Sequence, residues 1–214
     1  MMTDIMIVGG GGLAKEIKWQ IERINAVEKR WNIKGFVDPK FKPGDIFEGV
    51  LCYCSDDTLL EIEVPTDVVI AIAEPNIRKK IAKKLKVNKN LRFPSIIDPS
   101  VVIAPDVKLG EGCIICINST LTVNIGIGDF AILNPCCIVG HDSVIKQFAT
   151  LYPSVNICGN VVVGECAQLG VGSIVIQGKT IGEKAFLGAG AVAVKNIPDK
   201  CIAVGVPAVP IRNS

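Results

Sequence analysis

Residues 127–145 read Ile127-Gly128-Asp129-Phe130-Ala131-Ile132-Leu133-Asn134-Pro135-Cys136-Cys137-Ile138-Val139-Gly140-His141-Asp142-Ser143-Val144-Ile145, and they repeat every six positions. Ile127, Leu133, Val139 and Ile145 are aliphatic, and four places after each comes a small residue: Ala131, Cys137, Ser143 and Ala149. Outward in both directions the aliphatic period runs unbroken from Ile97 to Leu187, sixteen positions in succession. Ile, Leu and Val are 67 of the 214 residues, so chance would give such a run roughly once in 10⁸. The companion position stays mostly small from Val101 to Ala191, with Lys179 the clear exception.

No globular α-helix has a six-residue period. One large aliphatic and one small inward residue per hexapeptide mark a β-helix, in which short strands meet at corners and stacked coils bury a continuous core. Glycine beside the aliphatic, as at Gly110, Gly128, Gly140, Gly164, Gly170, Gly182 and Gly188, is expected to serve the tight corner. At three hexapeptides per coil the run makes about five coils.

The first 90 residues lack this period and read as alternating strand and helix. Ile5 to Val8 is a short buried strand, Gly9 to Gly12 a turn, and Ile17, Ile21 and Ile24 recur at helical spacing. A second strand, Ile33 to Val37, ends at Asp38-Pro39; a third, Val68 to Ala73, leads into a helix with Ile77, Ile81 and Leu85 on one face. Arg78, Lys79, Lys80, Lys83, Lys84, Lys86 and Lys89 are expected to form that helix's solvated face. The reading is a Rossmann-like α/β unit with a parallel sheet over residues 1–90, a link at Leu91 to Pro99, and an all-β parallel β-helix with a C-terminal tail over 91–214.

Composition narrows the function classes. A chain of 214 residues with 49% hydrophobic and 21% charged side chains buries a real core, and 23 Lys+Arg against 21 Asp+Glu leave a net charge of +2. Disorder and a nucleic-acid-coating surface are disfavoured. The N-terminus has no basic n-region, and no run approaches the ~18 apolar residues of a membrane span. A cytoplasmic protein without membrane partners is expected, its nine cysteines reduced thiols. Cys52/Cys54 and Cys113/Cys116 do not form the matched pairs of a zinc site, and with one histidine in the chain no metal is expected.

Two constellations can carry chemistry. Gly9-x-Gly11-x-x-Ala14, after a strand and before a helix, puts backbone N–H groups where they can receive phosphate. About 90 residues hold only half of a dinucleotide fold, so a mononucleotide or nucleotide sugar is favoured over NAD, with a purely structural turn as the alternative. Asp38 follows at the distance where a carboxylate could meet a ribose or base. The second constellation surrounds His141, the chain's only histidine. It sits two places after Val139, off both inward positions, so its imidazole should project from the wall. Beside the Asp142 carboxylate, such a ring can take a proton from an attacking amine or hydroxyl. In an 18-residue coil Gly159 lies directly over position 141, where its N–H could meet an oxyanion.

These residues resemble bacterial nucleotide-sugar acetyltransferases related to sialic acid O-acetyltransferase, most of all the UDP-4-amino-sugar N-acetyltransferases of the bacillosamine pathway. The marks are Ile7-Val8-Gly9-Gly10-Gly11-Gly12-Leu13-Ala14, Gly35-Phe36-Val37-Asp38, Ile70-Ala71-Ile72-Ala73 with Asn76-Ile77-Arg78, then Asn134, His141-Asp142 and Gly205-Val206-Pro207-Ala208. The resemblance implies a left-handed β-helix of triangular section. It also implies a homotrimer with active sites between neighbouring prisms, acetyl-CoA as donor and a nucleotide sugar as acceptor. By resemblance His141 is the general base, Asp142 raises its basicity, Gly159 serves the oxyanion and Asn134 contacts the sugar near its amine. Gly11, Gly12, Leu13, Asp38, Ala73 and Asn76 would hold the nucleotide, and Thr150, Val171 and Ala189 would line the acetyl-CoA channel. The chain departs from the family's pattern at Leu13 and Thr150, where histidine is found, and at Ala73, where glycine is. Val209 stands where Lys or Arg is frequent, which leaves a phosphate contact there to Arg212. Acetyl transfer to a UDP-linked 4-amino-4,6-dideoxy sugar is the expectation; O-acetylation of sialic acid or another sugar, and a catalytically silent nucleotide-sugar-binding trimer, are the alternatives.

Overall fold

The computed structural model of the chain describes residues 2–213. The chain packs as two compact units, the first ending at Pro99 and the second beginning at Ser100.

In the first unit the strands β1 (Thr3–Val8), β2 (Trp31–Val37), β3 (Ile46–Phe47), β4 (Val50–Tyr53), β5 (Thr66–Ile70) and β6 (Leu91–Arg92) form one sheet in the order β3-β4-β2-β1-β5-β6. It is parallel apart from β3, which runs antiparallel to β4. β1 is the central strand, and its Ile5 and Ile7 are fully buried. Helix α1 (Gly12–Val27) buries Ala14, Ile17, Ile21 and Ile24, as their spacing predicts. Helix α2 (Asp57–Leu60) is a single short turn.

Helix α3 (Pro75–Leu85) differs from the expectation. Its buried residues are Pro75, Arg78, Ala82 and Leu85, while Ile77 is 51% exposed. Arg78 does not belong to the solvated face: it is 1% exposed, and its guanidinium donates to the carbonyls of Ile72 (2.6 Å) and Ala73 (2.9 Å). A buried cation needs such acceptors, and here they come from the loop that follows β5. The link carries two short strands of its own, Leu91–Arg92 and Ile96–Ile97. Leu91–Arg92 completes the sheet, Gln20 donates to Ile96 O at 3.1 Å, and Arg23 grips Asp98 at 2.7 and 3.1 Å. Residues 91–99 pack with the first unit, and Ile96–Ile97 is at the same time the first strand of the third-face sheet of the β-helix.

The second unit is a parallel β-helix. Two-residue strands pair with partners 18 positions on, Ile138 with Asn156 and Val139 with Ile157 for example. The first face runs from Val102–Ile103 to Val192–Ala193, the second from Lys108–Leu109 to Thr180–Ile181, and the third from Ile96–Ile97 to Phe186–Leu187. Every sixth aliphatic from Ile115 to Leu187 is buried, and Cys113, Ser119, Cys137, Ser143 and Ala149 fill the small inward slots. Burial pushes the Cys137 thiol up to about 12. Lys179, the exception in the sequence, is only partly buried. The strand Cys201–Val204 extends the third face and Val209–Asn213 returns antiparallel to it; the side chain of Arg212 lies outside the described residues.

The glycines beside the aliphatics are there because a Cβ would clash, as expected. They do not adopt the left-handed backbone. That conformation falls two residues later, at Asn118, Asn124, Phe130, Cys136, Asp142, Phe148, Ser154 and Asn160, with φ between 55° and 64°. The glycines instead face the next coil: a Cβ on Gly128 would lie 2.4 Å from Gln147 N, and one on Gly164 2.5 Å from Glu183 N. The corner itself is turned mostly by residues that bear side chains, Asn and Asp among them.

Candidate active site

His141 and Asp142 form the corner between the first and second faces. Asp142 has φ 58°, and its N–H donates to Val123 O one coil earlier at 3.1 Å. The turn throws the imidazole outward, with its side chain 50% exposed. His141 Nδ1 lies 2.7 Å from Asp142 Oδ2, and Asn124 Nδ2 donates to Asp142 Oδ1 at 2.6 Å. The bond to the imidazole, and then that from Asn124, hold the Asp142 carboxyl below the usual carboxylate range. With Nδ1 turned to a carboxylate, an imidazole that carries its proton there keeps the Nε2 lone pair for another partner.

Gly159 sits one coil on, beneath the ring. A Cβ at that position would meet His141 Nε2 at 2.4 Å and Cε1 at 2.5 Å. The imidazole thus occupies the space that a side chain at 159 would fill. Among the described residues the Gly159 N–H has no hydrogen-bond acceptor, whereas its carbonyl accepts from Gly178 N at 3.0 Å.

Asn134 and the residues expected to line the coenzyme channel lie elsewhere on the coil. Asn134, 7% exposed, follows the third face and donates through Nδ2 to Leu151 O at 2.8 Å, leaving Oδ1 as its open acceptor. Val171 and Ala189 are exposed one above the other at the corner between the third and first faces, tied by Gly190 N to Val171 O at 2.8 Å. Within one chain this corner and that of His141 flank opposite edges of the first face. Thr150 is fully buried in the third face, as are Ile114 and Ile132 at the same strand position. A groove of about 500 Å³ crosses the second face, lined by Lys108, Gly126, Lys146 and Gln147 among others, and does not include His141.

In the first unit the loops after β1, β2 and β5 share the carboxyl edge of the parallel sheet, where strand order reverses at β1 and where open α/β sheets bind ligands. α1 starts from Gly11 with no side-chain cap, so its first N–H groups point free. A Cβ on Gly11 or Gly12 would meet nothing within 4 Å, while Gly10 packs beneath Lys40 and Phe41. Leu13 is partly exposed in the first turn of α1. Asp38 is committed to the loop: Oδ2 accepts from Gly10 N at 2.8 Å and Oδ1 from Lys40 N at 3.0 Å. Lys40 in turn donates to Gly10 O and lies over Phe41 and Phe47, and Lys15 lies over the same Phe47 ring at 5.1 Å. After β5, Glu74 caps α3 by accepting from Ile77 N at 2.6 Å and holds Asn76 Nδ2 at 3.0 Å. Ala73, partly exposed, is fixed through its carbonyl by Arg78.

Known proteins share this architecture over its whole length. A mutant perosamine N-acetyltransferase from Caulobacter crescentus, solved in complex with CoA and GDP-perosamine, is 32% identical; the match covers 100% of this chain and 99% of that one, with a TM-score of 0.90. The chain belongs to the bacterial nucleotide-sugar N-acetyltransferase family. Residues 4–85 match the model of the PglD N-terminal domain. The acetyltransferase domain of PglB from Neisseria gonorrhoeae FA1090, in complex with acetyl coenzyme A, is 25% identical over 99% of this chain and 100% of that one, with a TM-score of 0.89. GDP-perosamine N-acetyltransferase of Escherichia coli O157:H7 is 30% identical over 109 residues, 51% of this chain; the chain spans about half the length, 49%, of this curated relative. The fold is the family's left-handed β-helix behind a small α/β unit.

Two residues of this family member escaped the sequence reading, Asn124 and Lys40, and Arg78 was read as part of a solvated face. Asn124 could have been found, since it lies 18 residues before Asp142 in a repeat whose coil length is 18. Lys40 and Arg78 carry no periodic signal.

Proposed function

We propose that the chain transfers the acetyl group of acetyl-CoA to the amino group of a nucleotide-linked 4-amino-4,6-dideoxy sugar. The observation that carries the reading is the half-exposed imidazole of His141, held at Nδ1 by Asp142 with Nε2 over Gly159. The amine nitrogen attacks the thioester carbonyl carbon while Nε2 accepts its proton. The carbonyl oxygen becomes an oxyanion that the Gly159 N–H can receive. Collapse breaks the C–S bond, and CoA leaves as a thiolate that takes the proton back from the imidazolium.

Acceptor binding falls to the first unit. The uncapped start of α1 at Gly11, Gly12 and Leu13 offers N–H groups to a diphosphate, with Lys40 and Lys15 supplying positive charge beside it. Asp38, Ala73 and Asn76 form the rest of the same sheet edge. The base is the finer question. The chain's motifs resemble those of UDP-sugar enzymes, whereas the relatives from Caulobacter crescentus and Escherichia coli O157:H7 carry GDP-perosamine in their complex or name; the 32% identity to the first over the whole chain makes the GDP-linked sugar the first acceptor to assay.

The separation of the two corners supports a homotrimer. Asn134 Oδ1, Val171 and Ala189 would meet a substrate poised at His141 only if a neighbouring copy brought its other corner to the first. Among the described residues no helix is long and apolar enough to cross a membrane, and acetyl-CoA and nucleotide sugars are cytoplasmic metabolites; a cytoplasmic glycan-precursor enzyme fits both.

The test is acetyl-CoA-dependent release of free thiol with GDP-, UDP- and dTDP-linked 4-amino sugars and with sialic acid, comparing the native chain with His141→Ala. Turnover of one amino sugar, cut ~10²-fold or more in the variant, is expected. No turnover with any acceptor, or equal turnover in the variant, would overturn the reading.

A further inference from the structure

The corner that carries the base holds one residue per coil in vertical register: Asp106, Asn124, Asp142 and Asn160, spaced by 18. Stacked coils stand ~4.8 Å apart, so carboxylates in adjacent coils of this column would repel. An amide separates them instead. Asn124 and Asp142 both have left-handed backbone, φ 55° and 58°.

Each oxygen of Asp142 is engaged once. Oδ2 faces His141 Nδ1 at 2.7 Å and Oδ1 accepts from Asn124 Nδ2 at 2.6 Å. Among the described residues Asn124 is the only donor to Oδ1. Asn124 is itself tethered, its backbone N–H donating to Asp106 Oδ2 at 2.9 Å. The Asp142 side chain is 43% exposed, and an exposed carboxylate turns freely about its Cβ–Cγ bond unless both oxygens are held.

We propose that Asn124 is a positioning residue for acetyl transfer: its amide locks the Asp142 carboxylate so that Oδ2 stays on His141 Nδ1, which fixes the imidazole tautomer and leaves the Nε2 lone pair for the substrate's proton. The proposal rests on the reading of His141 as general base. The residue type fits two demands at once. Asn tolerates left-handed backbone better than other side-chain-bearing residues, and its NH₂ supplies the donor that Asp, equally at home in that conformation, lacks. Glycine would satisfy the backbone without the donor.

Two variants of the full-length protein separate these demands. Asn124→Gly keeps the backbone free to turn and deletes the amide; Asn124→Asp keeps the shape and replaces a donor by a like charge. Because His141 is the only histidine, the ¹⁵N signals of one imidazole report its tautomer without assignment. The native ring is expected as the Nδ1–H form. In Asn124→Gly it should become a mixture of tautomers, with kcat down about tenfold, as for partners that orient a functional ring, and both KM values within about twofold. Asn124→Asp should lose more kcat, and a native circular-dichroism spectrum at the assay temperature excludes misfolding as the cause.

An unchanged imidazole spectrum in Asn124→Gly, or a changed spectrum with native kcat, would overturn the proposal. A native chain that acetylates no acceptor would instead sink the catalytic reading. The tautomer comparison needs no turnover, so the two failures are distinguishable.

Discussion

Gly159→Ala tests the geometry of the base most directly. The new methyl carbon would lie 2.4 Å from His141 Nε2 and 2.5 Å from Cε1, so the ring must retreat by ~1 Å to reach ordinary contact of ~3.5 Å. Its other edge is held by Asp142 at 2.7 Å, so the retreat breaks or bends that bond. A catalytic group tolerates ~0.5 Å of misplacement, and ~1 Å costs on the order of 10²-fold, or about 2.7 kcal/mol in the barrier. Stability should barely move. Gly159 has no left-handed φ, the ring is half-exposed and can swing into solvent, and alanine restricts the unfolded chain, which favours folding by ~0.4–1 kcal/mol. The net change should stay within ~1 kcal/mol, a few degrees of melting temperature for this length. Thiol release at saturating acetyl-CoA and amino sugar, beside a thermal melt, reads both quantities. Activity within threefold of native would refute the packing argument, and a melting temperature lower by ten degrees or more would refute the claim that the ring alone absorbs the clash.

Arg78→Met should lower stability by about 2–4 kcal/mol in a denaturant titration, since the carbonyls of Ile72 and Ala73 lose a buried charged donor. Asp38→Ala removes the acceptor shared by Gly10 N and Lys40 N; KM for the nucleotide sugar should rise about tenfold with kcat near native, for a lost contribution of about 1.4 kcal/mol. The buried Ser173 hydroxyl has no partner among the described residues, whereas Ser143 Oγ donates to Cys158 O at 3.1 Å and accepts from Val161 N at 3.2 Å. Ser173→Ala should therefore stabilise and Ser143→Ala destabilise, each by about 1 kcal/mol, read as opposite shifts in the urea midpoint. In the native chain at pH 8 an alkylating reagent should reach Cys54, Cys136 and Cys158, the exposed thiols. Cys137 stays protected: with its pKa near 12, about one in 10⁴ of its thiols is ionised at that pH.

The β-helix was legible because its core is written as a period. Each of Ile115, Leu121, Ile127 and their successors faces inward for the same reason, so one rule reads them all, and the outward phase of His141 follows from it. The small unit was legible where one face alternates with another, as in α1. It failed at α3, where Arg78 takes an inward place that apolar periodicity assigns to Ile77. A buried cation announces itself only through acceptors, and those lie on a loop whose carbonyl directions no side-chain pattern encodes. β3, β4 and α2 were missed for a related cause: two- and four-residue elements are too short to show a period at all.

Gly128 and Gly164 were expected at corners because a Cβ would clash there, and what it would meet is the next coil's backbone, within 2.5 Å of where a Cβ would stand. Gly159 is different. It has no left-handed φ, and the atoms nearest to its missing Cβ are Nε2, Cε1 and Cδ2 of one imidazole. A β-helix that merely bound a nucleotide sugar would have no need to clear that space, because a half-exposed histidine could rest anywhere on the corner. A ring held on one edge by a carboxylate that is itself pinned, and given room on the other by an absent side chain, has its basic nitrogen fixed in position, and that is the requirement of proton transfer.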